Sequence, residues 1–474
     1  EKGTHVVMFA LEGKREKIED AKTASALLAP LAESIQADEK KKFKTLRFGG
    51  KSFNLEAAKV LAGLLPELEG VSTLDLSDII AGQETEEARK VLKELSVAAQ
   101  NMDLTELHLN ANALGSNGIQ ACEEILKGNK NLKGLFFNDC GLESKAGELI
   151  SKFVLSNGKP SKIEKFHIFN NCLTSAGAIT LCPLISNSPE LKNIRISTTR
   201  VSSEGGLAIA KVSISKIYQS INESIDVTML CRLTYVTLRK LRPLCYATST
   251  FLICYIMCVE ALCSCRKLVD VDLSDNSFGE EAGEILKDKV FTGQEKLERL
   301  NLSGVGIGEK HCLGIIDNLT KQKIDLEIFG FGDSDISVDG TDTLKTFFSQ
   351  CTKLKSINLE GNDLESEGAS AILKALAESK NPVEDVNLLN NSIKSTAVPS
   401  IIQFIKAKKE TLKLLNLNAN FISAKGVELI TSTLKGLGKE DCLDTMSDND
   451  DEEEDGDEAL DGLTEELAKL SVAK

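Results

Sequence analysis

A phrase of eight residues returns along this chain at a nearly constant interval. Its fullest form is Leu107-x-Leu109-x-x-Asn112-x-Leu114, and it recurs as FHIFNNCL, VDLSDNSF, INLEGNDL, VNLLNNSI and LNLNANFI. The asparagine position, called the slot below, is filled in turn by Lys51, Ile79, Asn112, Cys140, Asn171, Thr199, Asn276, Val305, Ser334, Asn362, Asn391 and Asn420. Most steps between slots are 28 or 29 residues, with 33 from Ile79 to Asn112 and 31 from Cys140 to Asn171. The Leu-x-Leu alternation puts apolar side chains on one face of a short strand. The slot reads as a buried turn position whose amide bonds the backbone of a neighbouring coil, with Cys140 and Thr199 as variants of one role. Stretches such as GIQACEEILK, AGEILKDKV, ASAILKALAES and GVELITSTLKG follow the slots with apolar residues every three or four positions, the period of an amphipathic helix.

One strand and one helix per unit at this spacing is the leucine-rich repeat. Units of this length hold a full helix, so the expected architecture is α/β: a ribonuclease-inhibitor-like crescent with parallel strands inside and helices outside. No unit buries its own core, so stability comes from stacking neighbours, and such a solenoid is first a surface for holding another protein. The expected organisation is an N-terminal cap over residues 1–37, with a helix around Ala21–Ile35, about twelve repeats over 38–438, and an acidic tail over 439–474.

One step breaks the period. Thr199 to Asn276 is 77 residues, and removing Lys211–Val259 restores a normal unit. Those 49 residues contain all four tyrosines of the chain, four of its 13 cysteines and no glycine. The segment reads as a retained intron: its opening Lys-Val-Ser is compatible with splice-donor codons, and its apolar, cysteine- and tyrosine-rich end suits a pyrimidine tract. The competing reading is a genuine insertion or membrane element. FLICYIMCVEAL, however, is shorter than the roughly 20 apolar residues of a spanning helix and contains Glu260.

Charge is uneven. The formal net charge is −15, and residues 440–474 hold 15 acidic and 2 basic side chains, so the repeats are close to neutral. Ser447–Glu458 has no apolar side chain and is expected to be disordered and self-repelling, either as a solvating tail or as a salt-sensitive aid to encounter with a basic partner. No basic stripe with interleaved aromatics suggests a nucleic-acid groove. The cysteines read as reduced thiols, with Cys140 in a slot and Cys122, Cys182 and Cys312 at helix core positions. The four histidines, His5, His108, His167 and His311, form no metal or catalytic spacing.

LSDNSFGEEAGEIL, STTRVSSEGGLAIA, FHIFNNCLTSAGAI, the LDLSDIIAG segment and the acidic tail together resemble the Ran GTPase-activating proteins, most closely the plant-type members. The resemblance covers roughly Phe9 to the C-terminus apart from Lys211–Val259. It implies a cytoplasmic or perinuclear protein of nucleocytoplasmic transport that binds Ran in its GTP form, with Ran-binding proteins as further partners. It needs no cofactor of its own, since GTP and magnesium sit on the partner GTPase. Such proteins supply no arginine finger; they steady the GTPase's own glutamine. The family's active-site asparagine maps onto Asp139, with Asn138 beside it, and an arginine of the family maps onto Gln83. The partner-binding edge maps onto Ser77, Asp78, Asn110, Asn170, Thr198, Arg200 and Asp275. An ionised Asp139 accepts hydrogen bonds but donates none, so slower activation than in typical relatives is expected. The plant-type Trp-Pro-Pro targeting motif is not in this sequence, which has no tryptophan.

Two other classes fit less well. An acidic leucine-rich chaperone of histones shares the tail but uses shorter and fewer repeats. Inhibitor or innate-sensor solenoids either lack the tail or carry a nucleotide-binding domain, and no GxxxxGK[ST] loop occurs here.

Overall fold

A computed structural model describes residues 8–11, 13–40, 42–156, 160–211, 213–214, 260–261, 267–449 and 460. The reading of 211–259 as an insert and most of the acidic tail lie outside the described residues, as does His5. The chain divides into two compact units, Glu1–Cys265 and Arg266–Lys474.

In the first unit seven strands pair in parallel and in sequence order: β1 Met8–Ala10, β2 Thr45–Arg47, β3 Thr73–Asp75, β4 Glu106–His108, β5 Gly134–Phe136, β6 Lys165–His167 and β7 Asn193–Arg195. The second unit repeats the arrangement with β8 Asp270–Asp272, β9 Arg299–Asn301, β10 Ile328–Gly330, β11 Ser356–Asn358, β12 Asp385–Asn387 and β13 Leu414–Asn416. The helices of successive coils pack side by side in each unit. The expected leucine-rich-repeat architecture is therefore present. Along each strand the central residue is buried, as in Leu46, Leu74, Leu107, Leu135, Phe166 and Ile194, because period-two alternation leaves its neighbours on the open face.

The slot works by reaching backwards. Asn112 donates its amide to the Leu76 and Leu109 carbonyls, each at 2.9 Å, and accepts from the Ile79 N–H at 2.9 Å. Asn171 does the same for Phe137 and Cys140, Asn362 for Phe331 and Ser334, and Asn420 for Leu388 and Asn391. An asparagine thus satisfies the turn of the coil before it, which lets Ile79, Cys140 and Ser334 stand in slots without an amide. The Cys140 thiol replaces one donor, pointing at the Leu109 carbonyl at 3.1 Å.

A second regularity is invisible in the consensus. The residue just before the slot has positive φ in all twelve coils: Gly50, Asp78, Ala111, Asp139, Asn170, Thr198, Asp275, Gly304, Asp333, Gly361, Asn390 and Ala419. Glycine, asparagine and aspartate tolerate that left-handed turn best. Many polar residues on this edge are therefore there to make the turn.

Three local departures from the expected elements have plain causes. The cap helix is two helices, Ala21–Leu27 and Ala29–Gln36, because Pro30 lacks an N–H and starts the second. Lys51–Phe53 pairs in parallel with Glu16–Ile18, and the buried Lys51 ammonium donates to the Lys14 carbonyl at 3.0 Å instead of acting as an amide slot. The coil pattern also continues beyond residue 438. Leu443 bridges to Leu415, and Asn449 accepts from the Asn420 N–H at 3.2 Å and donates to the Leu417 carbonyl at 3.3 Å, as a slot residue does. At the break in the period, Ser213–Ile214 pairs antiparallel with Glu260–Ala261 just after the helix Ser203–Lys211.

Candidate functional site: the strand-end edge of the first unit

The edge is built from turn residues that follow β3 to β7. Its longest connected run crosses three coils. Asn110 donates its amide to the Ser77 hydroxyl at 3.2 Å, and its carbonyl accepts the Asn138 N–H at 2.9 Å. Backbone bonds lock the same row, from Asp78 N–H to the Asn110 carbonyl at 2.8 Å and from Ala111 N–H to the Asn138 carbonyl at 2.8 Å. Asn138 is half-buried, and its side-chain carbonyl oxygen is shielded from water with no hydrogen-bond partner. A buried acceptor left open costs about 1–3 kcal/mol, and such atoms need a reason.

Asp139 stands next to Asn138 but faces a different neighbour. It is exposed, and the Asn170 amide donates to its carboxylate. The two adjacent residues are therefore distinct chemically: Asp139 is engaged within the edge, whereas Asn138 keeps unused bonding capacity. Thr198 and Arg200 are exposed, both with positive φ, one coil further on. Asp275 is exposed at the equivalent turn of the second unit.

Gln83 is not on this row. It sits in the loop leading to the helix Thr85–Ala98 and donates to the Ser52 hydroxyl at 3.2 Å. It lines a cleft of about 310 Å³ together with Arg15, Ile80, Thr85, Arg89 and Asn117. Arg15 pairs with Asp78, and Lys17 donates to the Gly82 carbonyl at 3.2 Å. Sequence reading missed these two cations of the N-terminal segment. Nothing local marks them, because the pairing of Glu16–Ile18 with Lys51–Phe53 brings them to the loop.

The open face of the same strands carries an unexpected aromatic row. The His108 ring stacks on Phe136 with centroids 4.0 Å apart and planes 2° from parallel, and Phe136 meets His167 edge-on at 4.8 Å. Gly134 makes room: a Cβ there would lie 2.9 Å from the Phe136 ring. Glu106 lies 3.6 Å from His108 and 2.9 Å from the Lys165 ammonium. Bonding to His108, and then to Lys165, holds its carboxyl down at about 2 against the opposing effect of burial. Among the described residues no group of histidine, cysteine and carboxylate side chains could hold a metal ion, and none of their seven cysteines is in a disulfide. No helix among them is long and apolar enough to cross a membrane. Burial pushes the thiols of Cys122, Cys140, Cys312 and Cys351 up to about 12.

Comparison with known proteins returns leucine-rich-repeat relatives. The Leucine Rich repeat family matches residues 100–121 and 350–373. RAN GTPase-activating protein 1 of Arabidopsis thaliana is 34% identical over 131 residues, covering 27% of this chain and 24% of that protein. Ran GTPase-activating protein 1 of Xenopus laevis is 27% identical over 184 residues, covering 36% and 31%. The ribonuclease inhibitor of Sus scrofa is 23% identical over 349 residues, covering 66% and 63%, which speaks to the repeat architecture. The match to the two GTPase-activating proteins thus spans a quarter to a third of their length. The chain thus carries leucine-rich repeats and is similar, over about a quarter to a third of its length, to Ran GTPase-activating proteins.

Proposed function

We propose that this chain binds the small GTPase Ran in its GTP form through the strand-end edge of the first unit and accelerates hydrolysis on the partner. The similarity to Ran GTPase-activating proteins of a plant and an animal carries the reading. The chemistry of the edge is compatible with it. Hydrolysis of GTP needs an ordered water and stabilised charge, and a partner can help by fixing the GTPase's own glutamine. Asn138 suits that task better than Asp139, because an amide can donate hydrogen bonds whereas an ionised carboxylate only accepts them. Asn110, itself bonded to Ser77, holds the Asn138 backbone in place, and Asp139 and Asn170 would form the adjoining contact surface. Arg200 and Thr198 would add peripheral contacts. The activator carries no cofactor; GTP and magnesium belong to the partner. Action in the cytoplasm, where hydrolysis releases transport complexes, follows from the same reading.

The test is multiple-turnover phosphate release from GTP-loaded Ran with substoichiometric amounts of the chain. Acceleration that Asn138→Ala lowers by at least tenfold supports the assignment. Histone binding without any effect on hydrolysis would favour the chaperone reading instead.

A further inference from the structure

Two departures from the repeat pattern meet in one groove of the second unit. The first is Phe421. The position directly after the slot is occupied by small or polar residues in nearly every coil, including Ala113, Gly141, Ser277, Gly306 and Ser392, and Ile80 there is buried. Phe421 is 43% exposed, and it is held in place by its N–H, which donates to the Ile393 carbonyl at 2.8 Å. The second is Glu365. Three residues past the slot, Gly82, Gly115, Gly279 and Gly308 adopt positive φ, as that turn favours. Glu365 adopts φ +52 there with a full side chain, as only Thr174 does at the same position among the described coils, a conformation that L-residues disfavour.

Both residues line a groove of about 610 Å³ with Asp363, Glu367, Ser392 and Lys394. Asp363, Glu365 and Glu367 are exposed and face a single lysine, so one part of the groove is acidic and the other presents an aromatic ring. Strain retained at a surface turn, together with an unpartnered ring, points to use of the groove.

We infer that this groove docks an extended segment of a partner protein that presents lysine or arginine beside an apolar side chain. The carboxylates would take the cation and Phe421 would cover the apolar group. Net charge opposes the chain's own tail as occupant, since residues 440–474 hold 15 acidic and 2 basic side chains. The inference concerns the second unit alone and does not depend on the Ran reading.

Two labelled peptides of equal length test it by fluorescence anisotropy with the full chain, one alternating lysine and leucine, the other alternating lysine and glycine. The second reports attraction to the acidic tail. The expected result is a Kd for the lysine–leucine peptide about tenfold tighter than for its control, with Phe421→Ser, and separately Glu365→Gly with Glu367→Gln, removing that difference. Glu365→Gly relieves the turn, so its melting temperature should hold or rise and loss of binding is not loss of fold. Equal affinities for the two peptides overturn the inference. So does self-association that Phe421→Ser abolishes, which would make a second copy the occupant.

Discussion

The Asn112 side chain closes the turn around Ile79 in the coil before it, taking the Ile79 N–H at 2.9 Å. The same amide group donates to Leu76 and Leu109. Replacing Asn112 by alanine leaves several buried backbone groups without partners. We expect a loss of about 2–4 kcal/mol in urea unfolding, whereas Asn390→Ala, one residue before a slot and outside this bonding, should lose far less. Equal losses at both positions would show that the slot bonds do not set stability.

Glu106 makes the aromatic row sensitive to acid. Its folded carboxyl titrates near 2 against an ordinary 4.5, so its contribution is fully present above about 4.5. That contribution is lost as pH falls from there towards 2. Stability of the Glu106→Gln variant should therefore decline less steeply over this window, measured as the midpoint of urea unfolding against pH. An unchanged slope contradicts the assignment.

Thiol chemistry separates the cysteines by burial. Cys122, Cys140, Cys312 and Cys351 are buried with their thiols held protonated, and Cys172 is exposed. Among the described cysteines, iodoacetamide at pH 8 should modify Cys172 first, and the other four only on unfolding, as peptide mapping would show.

Strand pairing between Ser213–Ile214 and Glu260–Ala261 brings together the two ends of the stretch that breaks the period. If 211–259 is foreign to the repeat, its removal rejoins a regular coil. The shortened chain should melt at the same or a higher temperature. A fall of more than a few degrees would mean that the stretch belongs to the fold.

The repeat architecture was legible because period, alternation and slot are properties of neighbouring residues in sequence. The strand centres Leu74, Leu107 and Phe166 are buried as alternation requires. What was not legible arises between coils. The positive φ of Asp78, Asp139 and Asn170 gives those polar residues a backbone role as well, which residue type alone does not reveal. Arg15 reaches Asp78 from 63 residues away, and no periodicity signals such a contact. The continuation to Asn449 was hidden because SDND reads as the start of an acidic run, although its asparagine bonds as a slot.

Asp139 and Gln83 set a graded expectation for activity. If the resemblance maps the family's asparagine and arginine onto these positions, Asp139→Asn with Gln83→Arg should speed the proposed Ran activation by about tenfold. The Asn170 amide would keep its acceptor on the new side chain, so the edge geometry survives. No gain would mean that these positions do not limit the rate.

The most direct measurement is single-turnover hydrolysis by GTP-loaded Ran, with the chain lacking 211–259 compared against its Asn138→Ala variant. The account predicts strong acceleration by the first and at least tenfold less by the second, with both equally folded. Hydrolysis at the intrinsic Ran rate in the presence of the folded chain would contradict it.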